Sequence, residues 1–148
     1  MLETGVSGKA HLKPGRVKLN LTPRLCQGCR VCEAVCSTYH FGFNNPFGTG
    51  IHISEQQPLG HFKQVACVQC MDAPCEKACP IGAISHNSYS GAVEISDDCD
   101  LCAACVPACP IGAIWIAPSD AIRKAIKCDL CGGSPQCVPT CPRQAISW

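Results

Sequence analysis

"ACPIGAI" is written twice in this chain, at Ala78–Ile84 and at Ala108–Ile114, and a looser copy, "TCPRQAI", runs from Thr140 to Ile146. Each copy carries the last cysteine of a group of four. The groups are Cys26, Cys29, Cys32 and Cys36 (C-x2-C-x2-C-x3-C); Cys67, Cys70, Cys75 and Cys79 (C-x2-C-x4-C-x3-C-P); Cys99, Cys102, Cys105 and Cys109 (C-x2-C-x2-C-x3-C-P); and Cys128, Cys131, Cys137 and Cys141 (C-x2-C-x5-C-x3-C-P). They use all 16 cysteines of the 148 residues. Such self-similarity is an internal repeat and sets the frame for everything else.

Cysteine at this level in a short chain means either a disulfide scaffold or metal ligation. Aromatics make up only 5% of the residues, so a chain this small builds a modest core unaided and needs staples. The opening "MLETGVSGKAHLKPGRVKLN" has no uninterrupted apolar stretch of the secretory kind and no twin arginine. No apolar run approaches the ~20 residues that span a bilayer. The expectation is a cytoplasmic chain, where thiols stay reduced, and that favours metal over disulfides. Structural zinc often uses two CxxC pairs, but it has no use for a third evenly spaced cysteine or a following proline. The formal charge of +1, without a basic stripe, gives no sign of a nucleic-acid partner.

C-x2-C-x2-C-x3-C-P is the bacterial ferredoxin run for a [4Fe–4S] cluster. A cubane needs four thiolates converging from different directions. A loop with a cysteine at every third residue wraps three corners and turns backbone N–H groups toward the sulfurs. The fourth cysteine lies one helical turn on, points away, and ligates a second cluster. Motifs therefore work in twos, and four motifs imply four clusters. Two pairings satisfy this: nested (first with fourth, second with third) or sequential (first with second, third with fourth). The identical copies in motifs two and three are what pseudo-symmetric partners would carry, which favours nesting.

Each oxidised cluster with its thiolates adds about −2 of charge, so four take the chain from +1 to about −7. Arg24, Arg30, Lys63, Lys77, Lys127 and Arg143 lie within a few residues of the cysteines. Cations near a cluster raise its potential, although long charged side chains mostly just solvate a surface. Because every quartet is complete, His11, His40, His52, His61 and His86 are not needed as ligands. Trp115 reads as core packing, with cover over a cluster as the second reading.

The last two cysteines of each group are four apart and share a helix face; in "CEKACP" and "ACVPACP" a proline then stops the turn. "IGAISH" and "IGAIWI" read as short strands. "AISHNSYSGAVEI" (Ala83–Ile95) reads as a hairpin around Asn87, Ser88, Ser90 and Gly91. "RVKLNL" (Arg16–Leu21) and "GIHI" (Gly50–Ile53) are further strands, and "YHFGFNNPFGTG" is a loop. "SDAIRKAIK" (Ser119–Lys127), with a capping serine and apolar residues at helical spacing, predicts a short helix.

The series "CVQCMDAPCEKACP", "DDCDLCAACVPACPIGAI" and "KCDLCGGSPQCVPTCPRQAI" resembles the four-cluster iron–sulfur subunits of the dimethyl sulfoxide reductase family. Compact relatives serve formate hydrogenlyase, formate dehydrogenase and tungsten-dependent aldehyde oxidoreductases. The likeness runs from about Arg16 to Trp148. "CSTYHFGFNNP" resembles a stretch of the compact members, with Asn44 in place of their phenylalanine and Ser37 in place of a closing proline. The resemblance implies nested ligation: Cys26, Cys29, Cys32 and Cys141 at the first cluster; Cys128, Cys131, Cys137 and Cys36 at the second; Cys67, Cys70, Cys75 and Cys109 at the third; Cys99, Cys102, Cys105 and Cys79 at the fourth. It implies an α+β fold of tandem bacterial-ferredoxin-like units: an arm at 1–15, a first unit at 16–60 plus 118–148, and a second at 61–117.

A non-catalytic electron-transfer subunit is the leading functional expectation, since no nucleotide fingerprint or substrate motif is present. The resemblance implies a large catalytic partner, a tungsten or molybdenum enzyme with aldehyde oxidoreductase favoured, or a hydrogenase or formate dehydrogenase, plus a second redox protein. Two alternatives are a freely diffusing polyferredoxin and an enzyme with a three-cysteine Lewis-acid cluster. The count of four cysteines for every cluster disfavours the last. The polar N-terminal arm reads as a segment that orders on a partner.

Overall fold

The computed structural model describes residues 17–148. The N-terminal arm, His11 and Arg16 lie outside the described residues. The elements in chain order are β1 (Asn20–Leu21), α1 (Val31–Phe41), β2 (Ile51–Gln56), β3 (His61–Ala66), α2 (Pro74–Ala78), β4 (Ile84–His86), β5 (Val93–Ile95), α3 (Cys105–Ala108), α4 (Cys137–Thr140) and β6 (Ile146–Ser147), with single 3-10 turns at Pro23–Leu25 and Leu130–Gly132.

One rule organises the strands. The strand that leaves each cysteine motif pairs with the strand that enters the next. After motif one, β2 pairs antiparallel with β3, Ile51 opposite Ala66, immediately before Cys67. After motif two, β4 pairs with β5, Ile84 opposite Ile95, ahead of Cys99. After motif three, a lone bridge joins Trp115 to Ile126, just before Cys128. After motif four, β6 pairs with β1, Ile146 opposite Leu21, ahead of Cys26. The last pairing closes the ring. Thr22 N–H donates to Ala145 O at 2.8 Å, as Ser96 N–H does to Ala83 O at 2.8 Å.

The helices follow from the Cys-Pro steps. α2, α3 and α4 are four or five residues long and end on Cys79, Cys109 and Cys141, whose backbones are extended at ψ 114, 116 and 112°. A residue before proline is forced out of the helical region, and each helix stops there. Ser37 follows Cys36 instead, so α1 runs on for 11 residues until Gly42 at φ 77° caps it. The chain must then return. Buried Ser37 anchors that return: its hydroxyl accepts from Asn45 N–H at 3.1 Å and donates to Ala34 O at 3.2 Å.

Two main apolar cores result. One gathers Val17, Leu19, Ile51, Ile53, Leu130 and Ile146 around Cys32 and Cys137. The other gathers Ile84, Val93, Ile95 and Ile114 around Cys75 and Cys105. α1 packs on α4, and α2 on α3. A small third group, Ala117, Ile122 and Ile126, packs on Phe41.

The helix expected at Ser119–Lys127 is not formed. An isolated helix of that length is marginal in water. Here Ile126 exchanges backbone bonds of 2.9 and 2.8 Å with Trp115, and Ala125 N–H is directed at Cys99 Sγ at 3.5 Å. Strand pairing captures the segment, and its isoleucines reach the core without helical spacing. The "GIHI" strand extends to Gln56 and acquires β3 as a partner, while "IGAIWI" reduces to the single bridge at Trp115. The hairpin over Ala83–Ile95 forms as read. No helix among the described residues is long and apolar enough to cross a membrane.

Candidate functional site

None of the 16 cysteines is paired in a disulfide, and the fold gathers them from separate motifs. One cavity is walled by Cys67, Cys70, Cys75 and Cys109, with Val93, Ile114 and Lys127. A second is walled by Cys36, Cys128, Cys131 and Cys137, with Gly50, Ile51 and Leu130. Each takes three cysteines from one motif and the last cysteine of another. Cys26, Cys36 and Cys141 pack on the first core. Cys79, Cys99 and Cys109 pack on the second.

The loops share a backbone device. The residue before the second cysteine has positive φ in all four motifs: Gly28 at 68°, Gln69 at 53°, Leu101 at 62° and Leu130 at 58°. Alternation of right- and left-handed residues turns successive N–H groups into one anion-binding concavity. Only Gly28 adopts this conformation freely; each L-residue costs roughly 1–2 kcal/mol there. Gln69 N–H lies 3.3 Å from Cys67 Sγ. In motifs three and four the aspartate of "CDLC" accepts from the N–H of the second cysteine, Asp100 from Cys102 at 3.1 Å and Asp129 from Cys131 at 2.9 Å.

A second device covers the last cysteine of each motif. Ala83 N–H reaches Cys79 Sγ at 3.3 Å, Ala113 reaches Cys109 at 3.2 Å, and Ala145 reaches Cys141 at 3.3 Å. The alanine of "ACPIGAI" and its looser copy therefore donates to the cysteine four residues before it. Motif one has no such alanine at that spacing. Gly50 N–H fills the role, 3.2 Å from Cys36 Sγ after the longer loop.

The surroundings of several thiols penalise thiolate charge. Burial, then the Glu33 carboxylate, pushes Cys32 up to about 12, with further push from Cys137 and Cys26. Burial, then Cys36 and Cys131, takes Cys137 to about 12. Burial also takes Cys105 to about 11, helped by Cys99, Cys75 and Cys102. It raises Cys128 further still. Four converging thiolates repel one another in a poorly solvated site, and a cationic metal core removes that penalty. The half-buried Cys79 behaves oppositely: burial pushes it up, but the backbone N–H groups of Ile81, Ala83, Ile84 and Gly82 together outweigh that and hold it below the usual thiol range. The donor set suits an iron–sulfur cubane, which takes four thiolates and N–H groups aimed at its sulfurs.

Of the six cations singled out from the sequence, five are exposed and only Lys127 is buried. Arg30 pairs with Glu33 at 3.0 Å, so its charge is matched on the spot. Glu33 is itself buried and accepts from Ile53 N–H at 2.7 Å, tying α1 to β2. Trp115 lies against the His52 ring, centroids 3.9 Å apart, a packing role. His86 pairs with Glu76 at 3.0 Å, and His61 is exposed. His40 sits beside a thiol, its Nε2 3.7 Å from Cys131 Sγ and 3.3 Å from Asp129 Oδ1. Burial pulls its pKa down, but Asp129 and Cys131 outweigh that and take it up to about 10. Gly50, Ser37, Glu33 and Gln69 were not legible as site residues, because their roles depend on approach between distant segments.

The model of the 4Fe-4S dicluster domain matches residues 59–148, a span that contains motifs two, three and four. The polyferredoxin-like subunit of the aliphatic sulfonate oxidoreductase of Pyrococcus furiosus is 42% identical over 127 residues, covering 85% of this chain and 72% of that one. The beta subunit of the NADH-dependent phenylglyoxylate dehydrogenase of Aromatoleum evansii is 33% identical over 130 residues, but the match covers only 28% of its length against 84% of this chain. Protein NrfC of Escherichia coli is 33% identical over 140 residues, 84% of this chain and 60% of that one. A solved structure of the active site complex BamBC of benzoyl coenzyme A reductase, as isolated, aligns with a TM-score of 0.49 at 20% identity over 88% of this chain and 74% of its own; so low a likeness supports no functional reading. The matched motifs, the spacing of the thiols and the 42% identical relative agree, and the chain belongs to the 4Fe-4S dicluster domain family.

Proposed function

We propose that this chain is the iron–sulfur electron-transfer subunit of an oxidoreductase complex, with four [4Fe–4S] clusters ligated in nested fashion. The observation that carries the reading is the pair of cavities, each walled by three cysteines of one motif and the last of another. The packing of α1 on α4 and α2 on α3 supports the other two quartets and the division into two units. Cys26, Cys29, Cys32 and Cys141 hold one cluster; Cys128, Cys131, Cys137 and Cys36 a second; Cys67, Cys70, Cys75 and Cys109 a third; Cys99, Cys102, Cys105 and Cys79 a fourth. When bound, each group supplies a site that accepts and releases one electron. The chain's own work is to hold the thiolates, turn N–H groups onto them and exclude water.

The catalytic step belongs to a partner on this reading. The named assemblies of the relatives, an aliphatic sulfonate oxidoreductase and a phenylglyoxylate dehydrogenase, support a large catalytic subunit. We assign it to the tungsten or molybdenum enzymes by resemblance, with an aldehyde-type oxidoreductase first. Anaerobic co-purification from the native host tests this: a stable complex whose large subunit contains tungsten or molybdenum supports it, and a stable monomer favours a free polyferredoxin. Cys109→Ala tests the nesting. Damage confined to the cluster of Cys67 supports it, and damage to the cluster of Cys128 overturns it.

A further inference from the structure

We propose that Lys127 is a shared cation that raises the reduction potentials of two clusters together, the one held by Cys36, Cys128, Cys131 and Cys137 and the one held by Cys67, Cys70, Cys75 and Cys109. The inference rests on the four-cluster reading above.

Lys127 is only 7% exposed. Its side chain lines the cavity of Cys67, Cys70, Cys75 and Cys109, and the next residue, Cys128, lines the other cavity. The ammonium donates to Val93 O and, at 2.8 Å, to Cys128 O, using two of its three donors. Among the described residues no ion pair involves it, whereas Arg30 and Lys124 each have a carboxylate partner. A buried ammonium without a counter-charge is expensive. Two flanking anionic cubanes supply that counter-charge, and more of it after reduction.

Its surroundings fix it at a seam. Gln69 is fully buried and sits between Cys67 and Cys70. Its Nε2 donates to the same Cys128 carbonyl at 2.8 Å, and its Oε1 accepts from Val93 N–H at 2.8 Å. Lys127, Gln69, Val93 and Cys128 therefore close a polar ring that joins the loop of one cavity to the loop of the other. A nearby positive charge favours the reduced, more negative form of a cluster. Reduction adds one electron to either group, makes and breaks no bond, and takes no proton from Lys127. The one charge therefore raises the two potentials together.

The rival is a purely structural tie between β5 and the Cys128 loop. EPR-monitored redox titration of the intact four-cluster protein separates them, using Lys127→Gln, Lys127→Met and Lys127→Arg. If the unaltered protein does not show four clusters, the functional reading itself fails. With four present, Lys127→Gln and Lys127→Met are expected to cut the reduced-to-oxidised ratio at fixed potential at least tenfold, or 59 mV for one electron, at those two clusters alone. Lys127→Arg keeps the charge and leaves both in place. No shift, a shift at one cluster only, a shift at all four, or an arginine variant that behaves like glutamine overturns the proposal. Should the neutral variants not assemble, Gln69→Glu keeps the acceptor for Val93 N–H and sets a negative charge in the same ring. It must lower the same two potentials, and an unchanged pair overturns the proposal.

Discussion

Replacing Gly50 with alanine strikes the point where motif one returns to its own last cysteine. A β-carbon built on Gly50 lies 2.7 Å from Cys128 N and 2.8 Å from both Cys128 Cα and Lys127 C. These are backbone atoms, and no rotamer change moves them away. Restoring ordinary contact opens the seam between β2 and the Cys128 loop by about 0.7 Å, an overpacking cost of about 1–3 kcal/mol. The same movement stretches the Gly50 N–H bond to Cys36 Sγ, 3.2 Å long, worth about 1 kcal/mol. Together these reach about 2–4 kcal/mol, or roughly thirty- to a thousandfold in occupancy of the intact site. Iron per chain after anaerobic purification, read beside the EPR spectrum, measures the effect. One cluster is expected to be lost, that of Cys36, Cys128, Cys131 and Cys137, with the other three retained. Gly48→Ala is the control, because its β-carbon meets the end of the Ile122 side chain at 2.7 Å, which can yield. Full iron content and an unchanged spectrum in Gly50→Ala refute the reasoning.

Two further outcomes are expected. Gln144 holds φ 51° where the tighter copies have Gly82 at 68° and Gly112 at 63°, so Gln144→Gly is expected to stabilise the protein by about 1 kcal/mol, read as a higher denaturant midpoint. An unchanged or lower midpoint removes strain at that position as an explanation. In the iron-free protein, burial raises the Cys32 and Cys137 thiols to about 12 and Cys105 to about 11, from an ordinary value of 9.0. A raised folded-state pKa means the folded chain holds the proton more tightly. Its contribution to stability is full below pH ~9 and is lost as pH rises toward 11–12. Chelator-stripped protein should therefore lose stability over that window while the loaded protein keeps it, and cluster assembly should release protons. Parallel denaturation curves for both forms across pH 8–11 contradict this.

The four cysteine groups were readable because thiolate chemistry fixes their spacing, and the short helices because Cys-Pro fixes where they end. The hairpin at Ala83–Ile95 was readable from its turn residues. What escaped depends on segments distant in sequence. Ser119–Lys127 carries a helical pattern, yet its partner is Trp115, and strand pairing overrides propensity. Gly50 looks like one more loop glycine until Cys128 is placed against it. Gln69, Leu101 and Leu130 occupy left-handed positions that composition assigns to glycine, so nothing in their identity announces the conformation. Lys127 was one of six similar cations, and only burial separates it from the other five.

Iron and acid-labile sulfide per chain, measured on anaerobically purified protein, bear most directly on the four-cluster reading. Four cubanes on 16 cysteines give about sixteen of each per chain. About eight of each, with half of the thiols still open to alkylation, contradicts it.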